Sequence, residues 1–177
     1  MELFGMEIQK RQDAYQLLAL ALRESRGLTR MPELDRRPGG KPYFPHEEGL
    51  EFNLSHSGPY ALCALGDAPV GADVEQVRPR RPFLPEKALS PEEFAWFQTL
   101  GGRWEDFYTL WTLKEAKVKC LGSGLDRPAR EIAVPLLSPG GTGTLEGLTF
   151  TSYAGPGWRA ALCSPGGTAL LEAFPLS

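Results

Sequence analysis

Histidine and cysteine are scarce: the chain of 177 residues holds two His and three Cys. Cys63, Cys120 and Cys163 lie far apart and form no CxxC pair, so neither a Cys-built zinc site nor a dense disulfide framework is indicated. His46 and His56 are too few to make up the deficit in zinc ligands. No window approaches ~18 uninterrupted apolar residues, and Met1-Glu2-Leu3-Phe4-Gly5 shows no basic segment leading into an apolar one. The expectation is a cytoplasmic protein with no membrane span.

Strong charge of one sign is also missing. A net charge of −3 supplies no general pull toward nucleic acid or an anionic membrane. It leaves local basic clusters at Arg36-Arg37 and Arg78-Pro79-Arg80-Arg81, each of which reads as a solvated loop or as a candidate anion contact. The glycine-rich stretches lack the Lys-Ser/Thr pair and helix start of a phosphate loop. Ser55 and His56 are neighbours whose side chains diverge in an extended strand, and no nucleophile elbow is present, so protein-centred nucleophilic catalysis is not expected.

What the chain does have is an ordinary globular composition, 42% hydrophobic and 23% charged, with length for one domain or two closely joined halves. A strand is expected over Leu3–Ile8 and a helix over Asp13–Glu24, with Ala14, Leu17, Leu18, Ala21 and Leu22 as its apolar stripe. Phe52–Gly58, Tyr60–Leu65 and Val70–Glu75 read as successive strands. Arg78–Pro85 reads as a connector and the seam between a first half, 1–80, and a second, 81–177. Ser90-Pro91-Glu92-Glu93 reads as a helix start, and strands are expected over Glu131–Leu136, Thr144–Tyr153, Trp158–Ser164 and Thr168–Phe174.

Between the seam and those strands, Arg103–Leu121 contains no Gly or Pro and ends at Gly122, which predicts one long helix with a glycine stop. Helical spacing gathers Trp104, Phe107, Tyr108, Trp111 and Val118 on one side, with Glu115 among them and Lys119 one turn on. A carboxylate on a face made for burial needs a cation, a base or a proton. An i, i+4 pair with Lys119 would supply the first. Asp73 and Glu75 raise the same question, because residues two apart on a strand share a face and like charges there repel. Three acids, one His in a polar turn and one Lys suggest a divalent metal holding a phosphate or pyrophosphate, with Mg²⁺ favoured by the all-oxygen donor set.

Three ordered runs carry a resemblance. Phe52-Asn53-Leu54-Ser55-His56-Ser57-Gly58, Val70-Gly71-Ala72-Asp73-Val74-Glu75 and Trp111-Thr112-Leu113-Lys114-Glu115-Ala116-Lys117-Val118-Lys119 resemble the motifs of the 4′-phosphopantetheinyl transferases of the Sfp type, and Gly40-Lys41-Pro42 matches a shorter one. The resemblance implies an α+β fold of two similar halves related by a pseudo-twofold, with the active site in the cleft between them. It implies transfer of the phosphopantetheine arm of coenzyme A to a serine of an acyl or peptidyl carrier protein, with Mg²⁺, releasing adenosine 3′,5′-bisphosphate. In that reading Asp73, Glu75 and Glu115 are metal ligands, Glu115 is also the base, and Lys119 holds the pyrophosphate. Lys41, Ser55 and His56 contact coenzyme A, with Lys10 or Arg11 substituting for basic residues that longer relatives carry before the first long helix. Acidic carriers would dock near Arg78, Arg80 and Arg81. Two other readings remain open: an Mg²⁺-dependent phosphohydrolase using the same acids, and a non-catalytic protein that binds coenzyme A or a carrier.

Overall fold

The computed structural model describes residues 1–124 and 126–166. The strand expected over Thr168–Phe174 lies outside them. Strand β1 (Glu2–Glu7) leads through a short 3₁₀ turn at Arg11–Asp13 into helix α1 (Ala14–Arg26). The expected stripe of α1 is buried, and the helix ends at Gly27, whose φ of 67° forms a left-handed cap. Two-residue strands β2 (Asp35–Arg36) and β3 (Pro42–Tyr43) form a small ribbon in the proline-rich loop. Then follow β4 (Glu51–Ser57), β5 (Tyr60–Gly66) and β6 (Gly71–Gln76).

The chain forms two helix-backed antiparallel sheets, an α+β architecture. The first has strand order β1-β5-β4 and carries α1 against Ala61, Cys63 and Leu65. The second joins β6 to three later strands in the order β6-β9-β8-β7, where β7 is Thr142–Leu145, β8 Leu148–Gly155 and β9 Trp158–Pro165. Helix α4 (Trp104–Leu121) packs on one face of this sheet, over Phe150, Ala161 and Cys163. The opposite faces meet in a separate core, with Leu3, Leu62 and Ala64 from the first sheet against Ala72, Val74, Ala160 and Leu162 from the second. Period-two alternation makes this possible: odd residues of β5 face α1 and even ones face the second sheet.

Sheet pairing changes between β5 and β6, because β6 pairs with β9. The Arg78–Pro85 connector runs into α2 (Leu84–Ala88), with Pro85 at the start of the helix. Two strand expectations differ. Glu131–Leu136 forms no strand: a 3₁₀ turn at Ala129–Glu131 precedes irregular backbone interrupted by Pro135 and Pro139. Within Thr144–Tyr153 the expected single strand folds back as the β7–β8 hairpin, through Glu146 (φ 52°) and Gly147 (φ 75°).

Helix α3 (Pro91–Thr99) starts as expected. The Ser90 hydroxyl accepts from the Glu93 amide, and the Glu93 carboxylate accepts from the Ser90 amide. Helix α4 departs from the one-sided reading. Lys114, Thr112, Ala116 and Lys117 are buried as well as Phe107 and Tyr108. Lys114, 1% exposed, donates to Glu93 at 2.8 Å and to the carbonyls of Ala129 and Ile132 at 3.0 and 2.7 Å. A fully engaged buried ammonium thereby ties α3 and the irregular segment to α4.

Candidate active site

The carboxylates are held by β6 and α4, which touch at close range because Gly71 lacks a side chain. A Cβ there would collide with the Ala116 carbonyl and the Cys120 amide. In β6, Ala72 and Val74 turn to the core between sheets, so Asp73 and Glu75 turn to the α4 side. Helix periodicity places Trp111, Glu115 and Lys119 in register above them.

These five residues line one pocket of about 640 Å³, together with Arg11 from the 3₁₀ turn before α1, Ala14 and Tyr15 from the start of α1, Leu54, Ser55 and His56 from β4, and Arg36 and Pro42 from the β2–β3 ribbon. The pocket therefore lies between the two helix-backed sheets. Of the expected residues, Arg11, Ser55, His56, Asp73, Glu75, Glu115 and Lys119 meet there. Lys41 does not: its ammonium donates at 2.7 Å to the Val70 carbonyl beside β6, and burial pushes its pKa down. Arg36 is the residue whose place in the pocket was missed. Its only mark in the sequence is membership of an Arg-Arg pair; the ribbon that carries it is a local pairing, and the loop is tied to β6 through the distant Lys41–Val70 hydrogen bond.

The network around Asp73 replaces the expected Glu115–Lys119 pair. Lys119 donates at 2.6 Å to Asp73 Oδ1 and at 3.0 Å to the Ser55 hydroxyl, and Ser55 itself donates to Asp73 Oδ1 at 2.8 Å. Asp73, 4% exposed, keeps its second oxygen buried with no hydrogen-bond partner among the described residues. Glu75 accepts from Ser57 at 2.6 Å. Burial, followed by the charge of Asp73, holds the Glu115 carboxyl above its ordinary pKa. Glu75 is also raised by burial, and the Ser57 hydrogen bond opposes the shift. His56 is pushed down by burial and then by the neighbouring charges of Arg11 and Lys119, which favours its neutral form.

Among the described residues, no three His, Cys, Asp or Glu side chains come together as a preformed set of metal ligands. The donors nevertheless suit a hard cation. All are carboxylates, the charge of Asp73 raises the pKa of both Glu75 and Glu115, and the buried Asp73 Oδ2 has no hydrogen-bond partner among the described residues. Mg²⁺ characteristically takes only one or two protein carboxylates and completes its shell with water and substrate phosphates.

Beyond the pocket, Arg78, Arg80 and Arg81 are exposed. Arg80 donates at 3.2 Å to the Tyr108 hydroxyl, which in turn donates to the Arg78 carbonyl at 3.3 Å. This ties the connector to α4.

Two helix-backed sheets thus bring the acids of β6 and α4 into one cleft with Lys119 of α4, Arg11 of the turn before α1 and Arg36 of the β2–β3 ribbon. The 4′-phosphopantetheinyl transferase superfamily matches over residues 69–163, more than half of the chain, and the chain belongs to that family. The matched segment opens just before β6 and ends within β9. A 4′-phosphopantetheinyl transferase of Bacillus subtilis is 35% identical over 103 residues, 57% of this chain and 46% of that protein. The 4′-phosphopantetheinyl transferase Sfp of Bacillus subtilis (strain 168) is 32% identical over 103 residues, with the same shares. The 4′-phosphopantetheinyl transferase AcpT of Escherichia coli O157:H7 is 39% identical over 103 residues, 55% of this chain and 53% of that protein. The chain spans about half the length of the curated relatives it matches.

Proposed function

We propose that this protein transfers the 4′-phosphopantetheine arm of coenzyme A to a serine of an apo acyl or peptidyl carrier protein, releasing adenosine 3′,5′-bisphosphate. The observation that carries this reading is the meeting of Asp73, Glu75, Glu115 and Lys119 in one pocket with a basic far side. Family membership and the names of the relatives support it. The two helix-backed sheets would be its related halves, 1–80 and 81–177 in the chain, with β6 exchanged into the second sheet.

In the reaction, the serine oxygen forms a bond to the β-phosphorus while the bond from that phosphorus to the bridging oxygen breaks. Glu115 takes the serine proton, directly or through water. Burial and the charge of Asp73 raise its pKa, which makes its carboxylate a stronger base. Lys119, steered by Asp73 and Ser55, faces the pyrophosphate and stabilises the charge left on the departing phosphate. Arg11, Arg36 and neutral His56 take the nucleotide's remaining phosphate at the far side of the pocket. Lys41 serves by holding its loop to Val70, which keeps Pro42 and Arg36 at the pocket wall. Asp73, Glu75 and Glu115 would hold Mg²⁺, whose contribution when bound is to neutralise the pyrophosphate.

Carrier docking is assigned to the exposed face around Arg78, Arg80 and Arg81, whose charge complements an acidic partner. A cytoplasmic setting accords with three unpaired cysteines and with the absence, among the described residues, of any helix long and apolar enough to cross a membrane.

Incubation of purified protein with Mg²⁺, coenzyme A and an apo carrier, read by the carrier's mass, tests the proposal. Gain of one phosphopantetheine arm supports it. Hydrolysis products with an unmodified carrier would favour the phosphohydrolase, and binding without reaction the non-catalytic protein.

A further inference from the structure

We propose that Cys120 and Cys163 are a modification site, a thiol pair that hydrogen peroxide closes into a disulfide between the last turn of α4 and β9. Its effect on transfer rests on the transferase reading, whereas the bond itself does not. Proximity follows from Gly71. In the register of the second sheet Gly71 and Cys163 are direct partners, β6 against β9. Cα atoms paired in this way lie about 4.5–5.5 Å apart. A Cβ on Gly71 would collide with the Cys120 amide and stand 2.9 Å from the Cys120 Cα, so the last turn of α4 rests directly on that glycine. Cys163 belongs with Cys120 to the core packed between α4 and the sheet. One cysteine stacked over Gly71 and the other paired beside it are within reach of a disulfide, whose Cα atoms are usually about 4.4–6.8 Å apart.

The two thiols are not equivalent. Cys163 is fully buried, and Cys120 is 5% exposed. The Cys120 thiol donates at 3.5 Å to the Pro69 carbonyl, next in the chain to the Val70 carbonyl that receives the Lys41 ammonium. A hydrogen bond from the Cys163 thiol lowers the Cys120 pKa, burial opposes the shift and the charge of Lys41 assists it. The same bond, and then burial, raise Cys163. Cys120 is thus the thiol that ionises first and attacks. Its sulfur bonds to one peroxide oxygen as the O–O bond breaks, and the departing hydroxide takes up a proton to leave as water, which makes Cys120 a sulfenic acid. The Cys163 sulfur then attacks the Cys120 sulfur, the S–O bond breaks, and the hydroxyl leaves with the Cys163 proton as a second water. Both sulfurs are oxidised and the peroxide is reduced. Cys63 is the internal control, because it is fully buried in the other core, under α1, where burial pushes its pKa up.

The bond would lie beside the reacting groups. Cys120 follows Lys119 in α4, and Gly71 stands two residues before Asp73 in β6. A disulfide of ~2.05 Å is shorter than the contact between two thiols, so closing it draws the last turn of α4 toward β9. Lys119 moves with that turn, while Asp73 stays with β6. A displacement of about 1 Å in a positioned group can cost about 10²-fold in rate.

The test uses the full chain, first reduced, then treated with hydrogen peroxide and desalted. The mass should fall by two hydrogens, and digestion without reductant should return the Cys120 and Cys163 peptides joined, with Cys63 still open to a thiol alkylator after unfolding. Cys120→Ala and Cys163→Ala should each abolish the loss of hydrogens. In the transfer assay kcat should drop about 10-fold or more on oxidation and return with dithiothreitol. Peptides that stay separate, a gain of oxygen in place of the lost hydrogens, or joining through Cys63 would overturn the proposal. A kcat within about 2-fold of the reduced protein, with the bond formed, would overturn its coupling to the site. Failure of the reduced protein to modify a carrier would instead sink the transferase reading, and the mass and peptide map would still decide the bond.

Discussion

Glu115 concentrates the residue-scale chemistry, because it lies on a buried helix face beside Asp73 and, among the described residues, has no hydrogen-bond partner of its own. Its folded pKa lies above the ordinary carboxylate value of 4.5, through burial and then Asp73. The sign of the pH effect follows. Between 4.5 and the raised folded value the native state holds the extra proton, so stability falls as pH rises through that window and the penalty is complete above it. Without divalent metal, Glu115→Gln should therefore be more stable than the native protein at neutral pH, with the difference in Tm vanishing below the ordinary carboxylate range. Adding Mg²⁺ should raise the Tm of the native protein more than that of the variant, and chelation should reverse the gain. An equal response in both would remove Glu115 from the metal set. In the transfer assay the same variant should lose about 10²–10⁴-fold in kcat with its fold intact, the scale expected for a lost general base. Turnover at the native rate would exclude that role.

At the scale of elements, α4 is fixed by two contacts that differ in kind. Lys114 is a buried ammonium with a buried partner, so Lys114→Met leaves the Glu93 charge and two carbonyls unanswered. The expected cost is about 3–5 kcal/mol by denaturant unfolding. A loss below about 1 kcal/mol, the range of an exposed pair, would show that the pair does not anchor the helix. Gly71→Ala should lose at least about 1–3 kcal/mol, because backbone atoms of α4 and not a flexible side chain meet the new methyl. Much of this was legible beforehand and some was not, for physical reasons. The ends of α4, the Ser90 cap and the stripe of α1 follow from local chemistry, and the structure has them. The single buried face of α4 was misread because Lys114 and Lys117 look like solvent residues until Glu93, Glu146 and the carbonyls of Ala129, Ile132 and Ala133 arrive from elsewhere in the chain. The same holds for Lys41, whose partner is a backbone carbonyl that no side-chain pattern announces. The gathering of Asp73, Glu75 and Glu115 was legible because alternation and helical period each fix a direction, and two fixed directions suffice once β6 and α4 pack.

Over the whole molecule, charge is distributed against its own average. The chain carries −3 overall, yet the connector leaving the cleft exposes Arg78, Arg80 and Arg81 within four positions. These three are not equivalent. Arg80 is bound to the Tyr108 hydroxyl, while no hydrogen bond among the described residues holds the side chain of Arg78 or Arg81. Reversing the charge of Arg78 and Arg81 should therefore leave the fold and the coenzyme A site alone, and change the encounter with an acidic carrier. Rim charges act chiefly on association, so the KM for carrier should rise about 10-fold at low salt, with kcat and the KM for coenzyme A within about 2-fold of native. Screening shortens to about 8 Å near physiological ionic strength, and the gap between native and variant should narrow as salt is added. Steady-state kinetics with each substrate varied in turn, at two salt concentrations, separates the cases. Equal losses for carrier and coenzyme A would mean that the connector shapes the cleft and does not receive the partner. A salt-independent loss confined to the carrier would place docking on contacts other than charge, and direct attention to the groove beside Arg80 lined by Phe94, Phe97 and Trp104.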